Sequence, residues 1–211
     1  LNSALDVGCG TGDSTRALKS VANHVVGVDR SSDMLTYAAD KGDRLEKLPA
    51  ERISELGESY DLVNTSMAFH WFDPKKTIPQ YKLVTATSGF WLIYNFFFNG
   101  SENSIPFNDW LRERYLNDFP SPPITNNNAN ESLESDPDIR SIASGKGSYR
   151  ITLGLTQLVG YLTTQSNVEQ VVKTGASYGS VEERLREQIL RTDVDDNFLY
   201  GYSWRLYQFA G

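Results

Sequence analysis

A glycine-rich turn directly after an apolar run constrains this chain more than any other feature. Residues 5–12 are LDVGCGTG. Leu5 to Val7 predict the end of a buried parallel strand, and the three glycines that follow predict a sharp turn into a helix. Glycine has no Cβ, so it permits a positive φ and lets a ligand approach the backbone closely. Strand, turn and helix together predict a nucleotide-type pocket at the carboxyl edge of a sheet.

The glycine spacing departs from the dinucleotide fingerprint. That fingerprint is G-x-G-x-x-G, and Asp13 stands where its third glycine would fall. An acidic residue at the mouth suits a cationic or zwitterionic ligand better than a pyrophosphate, and Asp6 points the same way. A nicotinamide-dependent oxidoreductase therefore stays only as an alternative.

The stretch LDVGCGTG resembles motif I of the class I S-adenosylmethionine-dependent methyltransferases. A second apolar run, HVVGVD at residues 24–29, ends in Asp29, seventeen positions after Gly12. The carboxylate of Asp29 is placed to accept hydrogen bonds from two ribose hydroxyls. The alternative for Asp29 is a helix N-cap or a solvated turn.

Residues 67–73, MAFHWFD, follow a predicted strand over residues 60–66. They resemble the HWFD signature of a small-molecule subgroup of the type-11 methyltransferases, which includes trans-aconitate methyltransferase-like enzymes. The resemblance implies an α/β Rossmann-like sandwich with a mostly parallel seven-stranded sheet and helices on both faces. It also implies S-adenosylmethionine as cofactor, S-adenosylhomocysteine as product and in-line transfer of the methyl group to a small molecule. A SAM-binding protein without catalysis is the second alternative, because fold alone does not fix activity.

The same resemblance implies a set of site residues. Those expected at the cofactor are Asp6, Gly8, Gly10, Asp29, Arg30, Met34, Glu51, Ser66 and Phe69. Those expected at the substrate are Trp71, Tyr94 and Asn95. Glu51 lies in an incomplete version of the family's Asp-Ala-Glu segment, and a solvated helix acid is the alternative there. Met34 is equally compatible with an ordinary core position.

His70 is the candidate catalytic residue. A histidine titrates near working pH and suits a general base. Ordering of the loop, with Trp71 and Phe72 in the core, is the alternative for this segment, and core packing is the alternative for Tyr94 and Asn95. A carboxylate acceptor, methylated on oxygen, would require basic groups such as Arg112, Arg114 or Arg150. Two distant histidines and one cysteine predict no metal site.

The remaining pattern predicts further elements. Helices are expected over 14–21, from 31 through Ala39, and over 74–84, 107–119, 156–164, 168–173 and 180–190, the last opened by a capping box at Ser180. Strands are expected at 45–51, 90–98, 149–155 and 198–209, with a turn at 86–89 and a long loop at 120–138. We predict one methyltransferase domain over 1–211, divided into a cofactor-binding half (1–99), a substrate-covering insertion (100–165) and a C-terminal helix with an edge strand (166–211).

Charge and composition limit the partners. The formal net charge is −7, which argues against unaided nucleic-acid binding, because that requires a basic face. Cys9 is the single cysteine of the sequence, so we expect a reducing, cytoplasmic location. No apolar run reaches membrane-spanning length. The chain starts at Leu1 and enters a strand almost at once, so we expect a native N-terminal segment to be missing. The sequence predicts no oligomeric state.

Overall fold

A seven-stranded sheet is the framework of the protein. A computed structural model describes residues 1–38, 44–121 and 129–210. The strands are β1 (Ser3–Val7), β2 (His24–Asp29), β3 (Arg44–Lys47), β4 (Tyr60–Ser66), β5 (Thr85–Ser101), β6 (Ile139–Thr152) and β7 (Asn197–Phe209). Their order across the sheet is β3-β2-β1-β4-β5-β7-β6. Every pairing among the first five strands is parallel, which confirms the expected α/β Rossmann-like class.

Helices connect these strands. They are α1 (Asp13–Leu18), α2 (Ser32–Ala38), α3 (Pro74–Val84), α4 (Ile105–Asp109), α5 (Leu116–Asp118), α6 (Ala129–Glu134), α7 (Leu155–Thr163), α8 (Ser166–Lys173) and α9 (Tyr178–Leu190). Short 3₁₀ helices cover Ala50–Leu56 and Phe69–Trp71, and a π-helical turn covers Trp110–Tyr115. Among the described residues, no helix is both long and apolar enough to cross a membrane. The expected helix position Ala39, and residues 122–128 of the expected loop, lie outside the described residues.

The described residues form two compact units. The first draws on 1–95, 124–146 and 203–211, and the second on 96–123 and 147–202. In the first unit β1 and β2 are almost wholly buried, as expected for central parallel strands covered on both faces. Helix α3 buries Ile78, Tyr81 and Val84 in the same core. Its first turn is fixed by Asp73, whose side chain accepts the Lys75 N–H at 3.1 Å.

The second unit has its own hydrophobic core. Residues from the stretch 107–119 and from α7 and α9 pack together, including Phe107, Phe119, Leu158 and Leu185. Helix α9 starts two residues before the predicted capping box. Ser177 is its N-cap and accepts the Ser180 N–H at 3.1 Å, so the assignment of the cap to Ser180 was wrong.

Two strands are longer than predicted. The polar residues expected to form a turn at 86–89 belong to β5, where the pairing with β4 shifts register between Tyr60 and Leu62 and Ser88 has a φ of 62°. The segment is thus an irregularity within a strand. Strand β6 begins at Ile139 rather than near 149. A Cβ on Gly145 would lie 2.6 Å from the Trp204 indole nitrogen, so the glycine that weakens the local strand pattern leaves room for a ring of β7.

Candidate functional site

The glycine turn after β1 has the backbone conformation that the sequence predicts. Gly8, Gly10 and Gly12 have φ values of 75°, 53° and 77°, a region that side chains with a Cβ rarely adopt. A Cβ on Gly8 would lie 2.6 Å from the Ala68 Cβ. A Cβ on Gly10 would meet no atom within 4 Å. The loop therefore packs tightly at Gly8 and is open at Gly10, where another molecule has room.

Asp29 ties the end of β2 to this loop. One carboxylate oxygen accepts the Gly10 N–H at 2.9 Å, and the other accepts the Ser31 N–H at 2.8 Å. The Leu48 N–H bonds to the Asp29 backbone carbonyl at 3.0 Å, which brings the end of β3 to the same edge. Each carboxylate oxygen keeps a further lone pair, so the half-buried Asp29 can still accept hydrogen bonds from a ligand.

A pocket of about 300 Å³ lies at this edge of the sheet, within the first unit. Its lining residues come from the ends of β1, β2, β3 and β4: Gly8, Asp29, Arg30, Leu48, Ala50, Glu51, Ala68, Trp71 and Phe72. Five of the predicted site residues thus come together here, namely Gly8, Asp29, Arg30, Glu51 and Trp71. This is the edge at which open α/β sheets bind ligands.

Asp6 lies beneath the glycine turn rather than on the pocket wall. Its side chain is fully buried and accepts bonds from Ser14 Oγ at 2.6 Å, Thr15 Oγ1 at 2.7 Å and Asn64 Nδ2 at 2.8 Å. Burial raises the pKa of this carboxyl, although the three donors oppose the effect. Asp6 therefore braces β1, the first turn of α1 and β4 against one another.

The segment after β4 covers the glycine turn. Ala68 and Phe72 approach Gly8, and the Phe72 ring meets Phe69 edge to face at 6.1 Å. Trp71 is 42% exposed, and its ring lies 4.7 Å from that of His70. Burial lowers the pKa of the His70 imidazole, so this side chain is neutral at neutral pH.

Other predicted residues lie beside the pocket without lining it. Met34 is exposed on α2, and Phe69 is buried against Phe72 and Tyr81. Ser66 ends β4 and pairs with Tyr94 of β5, whereas Tyr94 and Asn95 lie in the middle of β5, which continues to Ser101. A backbone hydrogen bond links the turn after β4 to β5, because the Met67 N–H donates to the Tyr94 carbonyl at 3.0 Å.

Four lining residues were not among the predicted site residues: Leu48, Ala50, Ala68 and Phe72. They are small or apolar, and no motif in the sequence marks them as ligand contacts. The usable signal was position, because each lies within three residues of a residue that was predicted. Among the described residues, no group of histidine, cysteine and acidic side chains could hold a metal ion.

Part of the chain is similar in sequence to known methyltransferases. Residues 5–93 match the family described as "Methyltransferase domain". The chain is 33% identical over 101 residues to the Saccharomyces cerevisiae protein "Probable S-adenosylmethionine-dependent methyltransferase CRG1", an alignment that covers 42% of this chain and 35% of that protein. It is 41% identical over 71 residues to the Schizosaccharomyces pombe "Uncharacterized methyltransferase C70.08c", covering 32% and 27%. The matches thus span about a third of the curated relatives' length.

Solved structures share the fold over the whole chain. A candidate type II methyltransferase from Anaeromyxobacter dehalogenans superposes with a TM-score of 0.72 at 17% identity, covering 99% of this chain and 89% of that one. The YcgJ protein from Bacillus subtilis superposes with a TM-score of 0.59 at 18% identity, covering 100% and 92%. At these sequence identities, the similarity establishes a shared fold only. The chain has the α/β Rossmann-like fold of these structures, and its residues 5–93 match the methyltransferase domain family.

Proposed function

We propose that this chain transfers the methyl group of S-adenosylmethionine to a small-molecule acceptor and releases S-adenosylhomocysteine. The observation that carries the proposal is the pocket at the carboxyl ends of β1 to β4, with Asp29 and Glu51 on its wall. Its volume of about 300 Å³ is at the lower end of the range for small-molecule sites and suits the adenosine part of the cofactor.

The residues present fit that cofactor. Asp29 is already held by the Gly10 and Ser31 N–H groups and has lone pairs for the two ribose hydroxyls. Glu51 can accept a hydrogen bond from the adenine amino group. The open space at Gly10 lets the methionine part pass close to the backbone. Arg30 and Met34 complete the proposed adenosine contacts.

Asp6 has a supporting role in this proposal. Because it is fully buried and already accepts three side-chain hydrogen bonds, we assign it as a positioning residue for the glycine turn. Its negative charge also favours the ammonium of the methionine part nearby.

Bound S-adenosylmethionine supplies a methyl group on a positively charged sulfur, which a lone pair of the acceptor displaces in line. The chain's own task is alignment. Phe69 and Ser66 shape the inner end of the path, and Trp71 presents a π face toward the cation. His70, neutral because burial lowers its pKa, can take the acceptor's proton where one must leave; ordering of the 3₁₀ turn is its alternative role.

The acceptor is proposed at the level of a small molecule, with Tyr94 and Asn95 of β5, beside the end of β4, as its contacts. For a carboxylate such as trans-aconitate, the three arginines named in the sequence are each already paired with an acidic side chain of the chain itself. Arg112 is bonded to Asp109, Arg114 lies 3.6 Å from Asp118, and Arg150 bonds to Glu102 at 2.8 Å. Residues 1–99 remain our proposed cofactor-binding half, with 100–165 as cover over the substrate and 166–211 as the C-terminal helix and strand.

Calorimetry and thermal melting with S-adenosylmethionine, S-adenosylhomocysteine and NAD in parallel test the proposal. A ligand that binds only the folded state raises the melting temperature. We expect both adenosyl compounds to stabilise the protein and NAD to leave it unchanged. Stabilisation by NAD alone would refute the cofactor assignment. Binding of S-adenosylhomocysteine without its formation from any acceptor in a broad panel would favour the non-catalytic alternative.

A further inference from the structure

A group of aromatic rings in the second unit has no part in the site described so far. We call it the tyrosine cluster; it consists of Phe96, Tyr149, Tyr161, Tyr200 and Tyr202. Tyr200 is at its centre, with ring centroids 6.1 Å from Phe96, 5.8 Å from Tyr149 and 5.9 Å from Tyr161. Tyr149 also lies 6.5 Å from Tyr202. Separations of this size are favourable for aromatic pairs.

The cluster is partly open to solvent. Tyr149 is 45% exposed, and Tyr161, Tyr200 and Tyr202 are half-buried. Phe107 and Phe198 of this unit are below 2% exposed, and Tyr161 joins the cluster to their core through Phe98, at a ring separation of 5.4 Å. Rings that serve only as core are covered in this way, so the tyrosine cluster presents π faces that another ring could cover.

One hydroxyl in the cluster has an unused proton. Tyr161 Oη donates to Tyr200 Oη at 3.3 Å. Burial, together with this bond, raises the pKa of Tyr161, so its hydroxyl keeps the proton that it donates. Tyr200 then has its own O–H left to donate, and among the described residues no side chain or carbonyl accepts it. A half-buried donor without an acceptor is costly unless a ligand or water takes the bond.

Charge around the cluster favours a neutral ligand. Within the described part of the chain, no charged side chain hydrogen-bonds to Tyr149, Tyr161 or Tyr200. The adjacent cation, Arg150, bonds to Glu102 at 2.8 Å, and neighbouring strand residues point to opposite faces. A charged carboxylate therefore finds no counter-ion here, whereas an uncharged ring loses little on leaving water.

We propose that the tyrosine cluster binds an uncharged planar aromatic ligand carrying a hydrogen-bond acceptor atom, with the ring against Tyr149 and Tyr200 and the acceptor atom on the Tyr200 hydroxyl.

Binding of three matched probes tests this assignment. They are 2-naphthol, naphthalene and decahydro-2-naphthol. Naphthalene lacks the hydroxyl, and decahydro-2-naphthol keeps the hydroxyl and an apolar surface but has no aromatic ring. Calorimetry on the whole chain, with S-adenosylhomocysteine present, should give affinities in the order 2-naphthol, naphthalene, decahydro-2-naphthol. Equal affinity for the aromatic and saturated alcohols would overturn the proposal.

Variants locate the binding. Tyr200→Phe should weaken 2-naphthol about threefold to tenfold, the effect of one neutral hydrogen bond, and leave naphthalene unchanged. Tyr149→Ala should weaken both aromatic probes about twofold to tenfold. Tyr178→Ala, a half-exposed tyrosine on α9 outside the cluster, is the matched control and should change neither. Equal loss in all three variants, or in none, contradicts the assignment.

The same samples separate this inference from the proposed function. Affinity for S-adenosylhomocysteine tests the cofactor site and should be unchanged in every cluster variant. Selective ring binding without cofactor binding would refute methyl transfer and leave the aromatic site standing. Cofactor binding with no preference for the aromatic probes would refute the aromatic site and leave methyl transfer standing.

Discussion

Replacing Gly8 by alanine should damage both the fold and the cofactor pocket. A Cβ at this position would lie 2.6 Å from Ala68 Cβ and 3.1 Å from the Phe72 ring. Overpacking of this kind costs about 1–3 kcal/mol. The φ of 75° adds about 1–2 kcal/mol for a residue with a Cβ. The free energy of unfolding should therefore fall by about 2–5 kcal/mol.

Gly10→Ala is the matched control for this change. Gly10 also has a positive φ, 53°, but a Cβ there would meet nothing within 4 Å. Only the backbone cost of about 1–2 kcal/mol applies. The difference between the two variants in urea unfolding thus isolates the contact with Ala68 and Phe72.

A second-site change completes the test. Ala68→Gly removes the atom at 2.6 Å, so the double variant Gly8→Ala with Ala68→Gly should regain part of the loss caused by Gly8→Ala alone. Where the variants are folded, Gly10→Ala should also weaken S-adenosylhomocysteine binding, because its Cβ would enter the space proposed for the methionine part, so only the stability comparison uses Gly10→Ala as a control. Equal destabilisation by Gly8→Ala and Gly10→Ala, with no recovery in the double variant, would refute the packing argument.

Four further outcomes are expected. Asp29→Ala should weaken S-adenosylhomocysteine binding in calorimetry by about 1.5–3 kcal/mol, the value of hydrogen bonds to a charged group; unchanged affinity would remove the ribose assignment. Burial raises the pKa of Cys9 to about 12, so its thiolate is scarce, and a thiol reagent at pH 8 should react roughly a hundredfold faster with the unfolded chain than with the native protein. Burial lowers the pKa of His70 below 6.5, so a base at this position is active above that pKa, and kcat should fall only below pH 6.5. His70→Gln should abolish this fall of kcat at low pH, whereas an effect on KM alone indicates that His70 orders the loop. Burial raises the pKa of Asp6 above 3.8, so the folded state keeps the proton to a higher pH than the unfolded chain. The free energy of unfolding should therefore fall as the pH rises from 3.8 through the pKa of the folded state. Asp6→Asn should reduce this dependence of the free energy of unfolding on pH, measured by urea titrations at several pH values.

The sheet and the pocket were predictable because their signals are local. A strand that ends in a glycine turn fixes where the carboxyl edge lies, and Asp29 follows from its place at the end of the next strand. The bounds of β4 and α3 agree with the prediction, since apolar alternation, a proline at the first helical position and an aspartate N-cap all operate within one turn.

The departures have non-local causes. Strand β6 carries glycines and serines that predict a loop, but Gly145 accommodates the ring of Trp204, a partner almost sixty residues away. The irregular pairing at 85–90 depends on β4 in the same way. The complete burial of Asp6 also depends on partners from two other elements, and a motif alone does not reveal whether an acid points toward the ligand or beneath it.

The arrangement of the two units along the chain has a consequence for biosynthesis. Neither unit is a continuous stretch, because 124–146 and 203–211 belong to the first and 96–123 and 147–202 to the second. The first unit therefore cannot be completed on the ribosome until β7 has been made, although its glycine turn is made well over a hundred residues earlier. Chains with such distant contacts fold slowly and expose apolar surface meanwhile. We expect truncation from the C-terminus to release an aggregation-prone fragment rather than a functional half.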